Sequence, residues 1–115
     1  MKLEINAYET SSGRKEAFEF IEKQSGEASF RITKALDNLQ KYGLNFLLEN
    51  GTVKQIKTTK NLSFYELKVS ADDTFYRFPF VIKDSMVYLL FGFKKKTNKM
   101  EQRYLKLVTK RARIF

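Results

Sequence analysis

The sequence predicts an α+β fold, a small antiparallel sheet with helices packed against it. Three observations predict it. Apolar residues recur at helical spacing over residues 15–42 and at a period of two in the strands between residues 52 and 82, so helices and strands are segregated along the chain rather than alternating. One Pro and five Gly in 115 residues leave little material for a loop-dominated fold. A hydrophobic content of 43%, with eleven Phe and six Tyr, is more than a disordered chain carries and suits one core in a single domain, residues 1–115.

The elements follow in order. Residues 2–8 alternate, with Leu3, Ile5 and Ala7 on one side and Lys2, Glu4 and Asn6 on the other, which predicts a half-buried strand. Residues 15–23 read as a short helix on Ala17, Phe18 and Ile21, broken by Ser25-Gly26. A second helix carries Ala28, Ile32, Ala35, Leu36 and Leu39 on one stripe and stops at Gly43. Residues 52–58 form a weak strand. Residues 62–70 form a stronger one, with Tyr65, Leu67 and Val69 opposite Phe64, Glu66 and Lys68. Ala71-Asp72-Asp73 is a hairpin turn into a strand over 74–82, and Lys83-Asp84-Ser85 is the next turn. Pro79 lies inside that strand and predicts an edge position or a bulge. Residues 86–93 are apolar throughout, as in a strand covered on both faces. Residues 99–112 form a closing helix with Met100, Tyr104, Leu105, Leu107 and Val108 on its apolar face. The predicted order is β-α-α-β-β-β(-β)-α, with the helices on one face of the sheet.

Charge is the strongest functional signal. The net charge is +9, and the last 22 residues hold nine of the 22 basic side chains but one of the 13 acids. A local excess of this kind is the footprint of a polyanion, either nucleic acid or an anionic membrane surface. The membrane is disfavoured, because the apolar side of the last helix is needed to cover a small sheet. No apolar run approaches a membrane span, and the N-terminus lacks a signal-peptide core, so a cytoplasmic protein is expected. The chain has no Cys and no His, which removes thiol chemistry, the commonest metal ligands and the commonest general base. No metal site and no cofactor are expected. Asp72, Asp73 and Asp84 are accounted for as turn residues.

The run Lys94, Lys95, Lys96, Thr97, Asn98, Lys99 follows the apolar strand directly and is suited to phosphate. Arg103 and its basic neighbours on the last helix fit the same partner. Lys54, Lys57, Lys68 and Arg77 fall on three successive strands and would form a positive surface opposite the helix-covered face. Tyr65, Phe75, Phe91 and Phe93 are candidate platforms for stacking bases, though each is also a natural core residue.

These residues also resemble those of the RelE/HigB-type bacterial toxins, in particular the phage-derived HigB-like branch. Val53-Lys54-Gln55-Ile56 is similar to that family's V-K-x-L element, Phe64-Tyr65-Glu66-Leu67-Lys68 to its L-Y-E-L-R strand, and Tyr76-Arg77 to its Y-R. The stretch from Leu89 to Thr97 is similar to its L-L-H-G-F-x-K-K-T signature. Lys68 stands where the family usually has Arg, Phe91 where it has His, and Met100-Glu101 where it has Thr-Pro. The resemblance implies a RelE-like fold and a toxin of a type II toxin-antitoxin system that cleaves mRNA on the ribosome without a metal. It also implies a cognate antitoxin as partner, expected to be of helix-turn-helix type. By this resemblance Arg77 and Lys95 or Lys96 would stabilise the phosphorane. Lys54 or Lys68 would hold phosphate and serve as base, and Tyr65 and Phe93 would orient a base. Lys57, Lys94, Thr97, Lys99 and Arg103 would contact RNA. Arg77→Ala would abolish activity and leave the fold intact. A non-catalytic RNA- or ribosome-binding module and a regulatory protein with an acidic partner remain alternatives.

Overall fold

The computed structural model describes residues 2–59, 61–95 and 100–115. Among them the chain runs β1 (Glu4–Ala7), α1 (Glu16–Glu22), α2 (Gly26–Tyr42), α3 (Leu44–Glu49), β2 (Val53–Lys57), β3 (Ser63–Ala71), β4 (Thr74–Lys83), β5 (Met86–Leu89), β6 (Phe93–Lys95) and α4 (Gln102–Ala112). The class is α+β. The sheet order is β1-β5-β4-β3-β2, with β6 also pairing β4.

Local chemistry sets the boundaries. The Ser25 hydroxyl accepts from the Ala28 N–H at 3.2 Å and caps α2. Gly43, at φ 88°, ends it. Asp72-Asp73 and Asp84-Ser85 all take left-handed φ between 52° and 64°. Positive φ at both central residues matches the right-handed twist of the strands each pair joins, so the meander from β3 to β5 closes through two tight turns. Helix α3 was not expected. Its six residues are too few for a period to register, although they bury Leu47.

Two expectations are corrected. The sheet is mixed rather than antiparallel, because β1 lies parallel to β5, from Glu4 beside Met86 to Ala7 beside Leu89. The meander leaves the outer edge of β5 open, and β1 closes it. The helices also do not share one face. Leu67, Val69, Tyr76, Phe78, Phe80, Val87 and Leu89 pack with Ala17, Ile21, Ile32, Leu36, Leu39 and Leu47 of the first three helices. Phe64, with Ile56 and Val81, alternates to the other side and meets Val108, Ala112 and Leu105 of α4. Phe64 and Val108 are fully buried there, each worth roughly 1.5–3 kcal/mol in burial.

The register contains one extra residue. Phe80 pairs with Leu89, but Arg77 pairs with Phe93, so three steps along β4 face four along the chain beside it. The detour lies opposite Pro79, whose carbonyl accepts from the Leu90 N–H at 2.8 Å. In an antiparallel ladder a residue's N–H and C=O point to the same neighbour, so the donor that Pro79 lacks would have faced this stretch. The bulge anticipated from Pro79 is therefore present, although β4 is a central strand. It turns Leu90, Phe91 and Phe93 all toward α4. Phe93 stacks on Tyr104 at 4.1 Å between ring centroids, and Phe91 stacks on the same ring at 5.8 Å.

Gly92 passes through the bulge on the other side, where a Cβ would stand 2.6 Å from both the Phe20 and Phe78 rings. Gly92→Ala is expected to destabilise the protein by about 1–3 kcal/mol through overpacking, read as a lower denaturant midpoint at unchanged slope.

Candidate nucleic-acid interface

Helix α4 has eleven residues, about 16 Å of axis, and covers only part of its face of the sheet. On the remainder Phe75 is 52% exposed and Lys54 is exposed. The strand registers place the side chains there. Lys54 is opposite Glu66 across β2 and β3. Lys68 is opposite Arg77 across β3 and β4. Phe75 is opposite Lys95 across β4 and β6. Side chains directly opposite share a face, and so do those two residues apart on one strand. Lys54, Glu66, Lys68, Phe75, Arg77 and Lys95 therefore form one patch of four cations, one acid and one open aromatic ring.

Lys68 and Arg77 have their Cβ atoms about 5 Å apart, an arrangement that costs stability unless an anion separates the charges. Glu66 is that anion within the fold. It is 2% exposed, buried deeper than any other charged residue described. One of its oxygens lies 3.4 Å from Arg77 Nε, an ion pair without the short geometry of a good hydrogen bond. Neither Glu66 Oε2 nor Arg77 Nε finds a hydrogen-bond partner among the described residues. The Arg77 Nη1–H donates to the Tyr76 carbonyl at 3.0 Å, and the guanidinium lies 5.8 Å from the centre of the Phe75 ring. Burial lowers the pKa of Arg77 from its ordinary value, and the Glu66 charge works against that shift.

The sequence-derived candidates divide by strand parity. Lys54, Lys68, Arg77 and Lys95 come together. Lys57 and Tyr65 do not. Each lies an odd number of residues from Lys54 or Lys68 on its own strand and projects to the helix-covered face, where Tyr65 stacks on Phe80 at 5.4 Å. Lys94 projects with Tyr76 to that same face. Phe93 is 5% exposed and packs in the α4 core, so it is no platform for a base. Phe91 is equally buried. Phe75 is the proposed stacking residue that remains open. Arg103 stands apart on α4, paired with Glu101 at 2.7 Å and laid over the Tyr104 ring at 4.6 Å. Lys96, Thr97 and Lys99 lie outside the described residues. Glu66 was missed as a site residue. Its signal was available, two residues before Lys68 and therefore on the same face.

A second basic surface exists. A groove of about 620 Å³ between the turn after β2 and α4 is lined by Lys106, Lys110 and Arg113, with Leu62 and Leu105 among its apolar residues. Among the described residues no carboxylate lines it.

The buried pair makes Arg77→Ala a poor probe, because it strands the Glu66 carboxylate away from water. Arg77→Met is expected to cost about 3–5 kcal/mol. Glu66→Leu should cost less, since Arg77 retains 14% side-chain exposure against 3% for Glu66. The double variant should return close to wild-type stability. Equilibrium unfolding of the three proteins checks this order, and additive losses would contradict it.

No helix among the described residues is long and apolar enough to cross a membrane. No curated protein matches the chain. A family model described as phage derived protein Gp49-like (DUF891) matches residues 19–113, which include β2 to β6, α4 and every residue of the patch. The chain thus belongs to the phage-derived Gp49-like family, a family of RelE/HigB-like toxin type.

Proposed function

We propose that this protein is the HigB-like toxin of a type II toxin-antitoxin system, a ribosome-dependent mRNA endonuclease of the cytoplasm restrained by a helix-turn-helix antitoxin. The observation that carries the reading is the direct opposition of Lys68 and Arg77 on an open sheet face beside exposed Phe75. Like charges held face to face are stabilised by a bound anion, and an aromatic ring two residues along the strand suits a nucleobase next to that phosphate. The same cations repel a divalent metal, which favours metal-free chemistry.

In the proposed reaction the RNA 2′-oxygen forms a bond to the adjacent phosphorus while the bond from phosphorus to the 5′-oxygen breaks. The proton leaves the 2′-hydroxyl, and one is delivered to the departing 5′-oxygen. The products are a 2′,3′-cyclic phosphate and a 5′-hydroxyl end. Arg77 and Lys95 neutralise the charge that builds on the non-bridging oxygens. Lys54 and Lys68 hold the phosphate and are the candidates for moving the proton. Positioning of the 2′-hydroxyl in line with the departing oxygen supplies much of the acceleration.

A non-catalytic RNA-binding module is the second reading. Phe91 favours it. It replaces the family's His and is locked under Tyr104, so the face offers no imidazole.

Induced expression with primer extension on abundant mRNAs tests the first reading. Growth arrest with new cuts inside coding regions is expected; both should vanish in Lys68→Ala and weaken, with slow cleavage remaining, in Arg77→Lys, which keeps a cation beside the buried carboxylate. Arrest without cuts would favour the binding module. Affinity for a single-stranded RNA should fall with salt at a log–log slope near −0.7 per phosphate contact, so Lys54→Gln should flatten that slope by about 0.7. An unchanged slope would remove Lys54 from the interface.

A further inference from the structure

We infer that Glu66 is a positioning residue for Arg77, holding the guanidinium turned toward the open sheet face without itself touching RNA. The inference rests on the reading of this face as a phosphodiester-cleaving site. Burial is the first observation. With its side chain 3% exposed, the Glu66 carboxylate is out of reach of a substrate hydroxyl, so it is not placed to act as the base. Orientation is the second. Arg77 Nε lies 3.4 Å from a Glu66 oxygen as an ion pair, and Nη1 donates to the Tyr76 carbonyl at 3.0 Å. One corner of the planar group is hydrogen-bonded inside the protein and a second lies against the buried carboxylate, while among the described residues Nη2 has no hydrogen-bond partner and is the corner offered to a ligand.

The third observation is that the pair is a poor choice for stability alone. One carboxylate oxygen and the Nε–H lack partners among the described residues, and an apolar pair of similar size would fill the same space without that cost. Glu66 also lies diagonal to Arg77 and beside Lys68 on the same strand, so it offsets the repulsion between two cations that must approach one phosphate together. Removing its charge leaves Arg77 with a desolvated cation and no counter-charge. The predicted consequence is a guanidinium that swings toward solvent, away from the position opposite Lys68.

The test compares wild type, Glu66→Gln and Glu66→Asp, each also in an Arg77→Lys background. Single-turnover cleavage of ribosome-bound mRNA gives the rate, and the NMR signal of the Arg77 Nε–H reports the geometry independently of activity. Glu66→Gln should slow cleavage about 10- to 100-fold. The half-saturating ribosome concentration should stay within about threefold, since binding is shared with the lysines. The Arg77 Nε–H signal should shift and exchange faster. Glu66→Asp, which keeps the charge but withdraws it by one methylene, should fall between wild type and Glu66→Gln. In the Arg77→Lys background Glu66→Gln should add little. Equal losses in both backgrounds, or an Arg77 signal that ignores the substitution, would overturn the inference. Should Glu66→Gln not fold, Glu66→Asp carries the same comparison. Absence of cleavage in wild type would sink the nuclease reading, and the NMR comparison would still decide whether Glu66 fixes Arg77.

Discussion

Pro79 has no N–H to offer the chain at its side, and that chain carries one residue more than β4 does between Phe80 and Arg77. The division of the far sheet face follows from this mismatch. The extra residue brings Leu90, Phe91 and Phe93 to one side, where they supply an apolar seat for Tyr104 and Val108. It also takes backbone groups out of the ladder. Arg111 compensates by donating to the Leu90 carbonyl at 2.7 Å, held by Glu16 and by the Tyr8 ring 4.6 Å away. Helix α4 is fixed at that end, and of the sheet cations Lys54 stays exposed while Lys68, Arg77 and Lys95 stay partly exposed.

The positive charge of the last segment consequently has two roles. Arg111 is an internal fastener, 11% exposed and paired. Arg103, Lys106, Lys110 and Arg113 point outward and are available to a polyanion. The sheet patch differs from both in being built around a buried carboxylate. Residues that oppose like charges across a ladder weaken a fold, and a buried ion pair with two unsatisfied atoms weakens it further. The proposed site for an anionic substrate would account for both at one place, because a bound phosphate would relieve the same repulsion that destabilises this face.

Much of this was legible in residue spacing. The two Asp-led turns, the meander and the bulge at Pro79 all follow from local signals that the structure retains. Parity alone groups Lys68 with Arg77 and admits Glu66, and the same rule separates Lys57 from Lys54 and Tyr65 from Lys68. Applied strictly, it would have removed both Lys57 and Tyr65 from the site. Phe93 was not readable in this way, because the bulge resets parity between Leu89 and Phe93. The pairing of β1 with β5 and the side chosen by α4 depend on which edge and which face remain free once the rest has packed. Those are tertiary facts with no local signature. Helix α3 is too short to show one.

The proposed function depends on the sheet patch, and not the α4 groove, being the surface that takes RNA phosphate. An NMR titration with a short RNA whose 2′-hydroxyls are replaced by hydrogen, so that it binds without being cut, decides it. The patch reading predicts the largest shifts at Lys54, Lys68, Phe75 and Arg77, with Lys106, Lys110 and Arg113 changing little. Shifts confined to the α4 groove, with Lys68 and Arg77 silent, would contradict it.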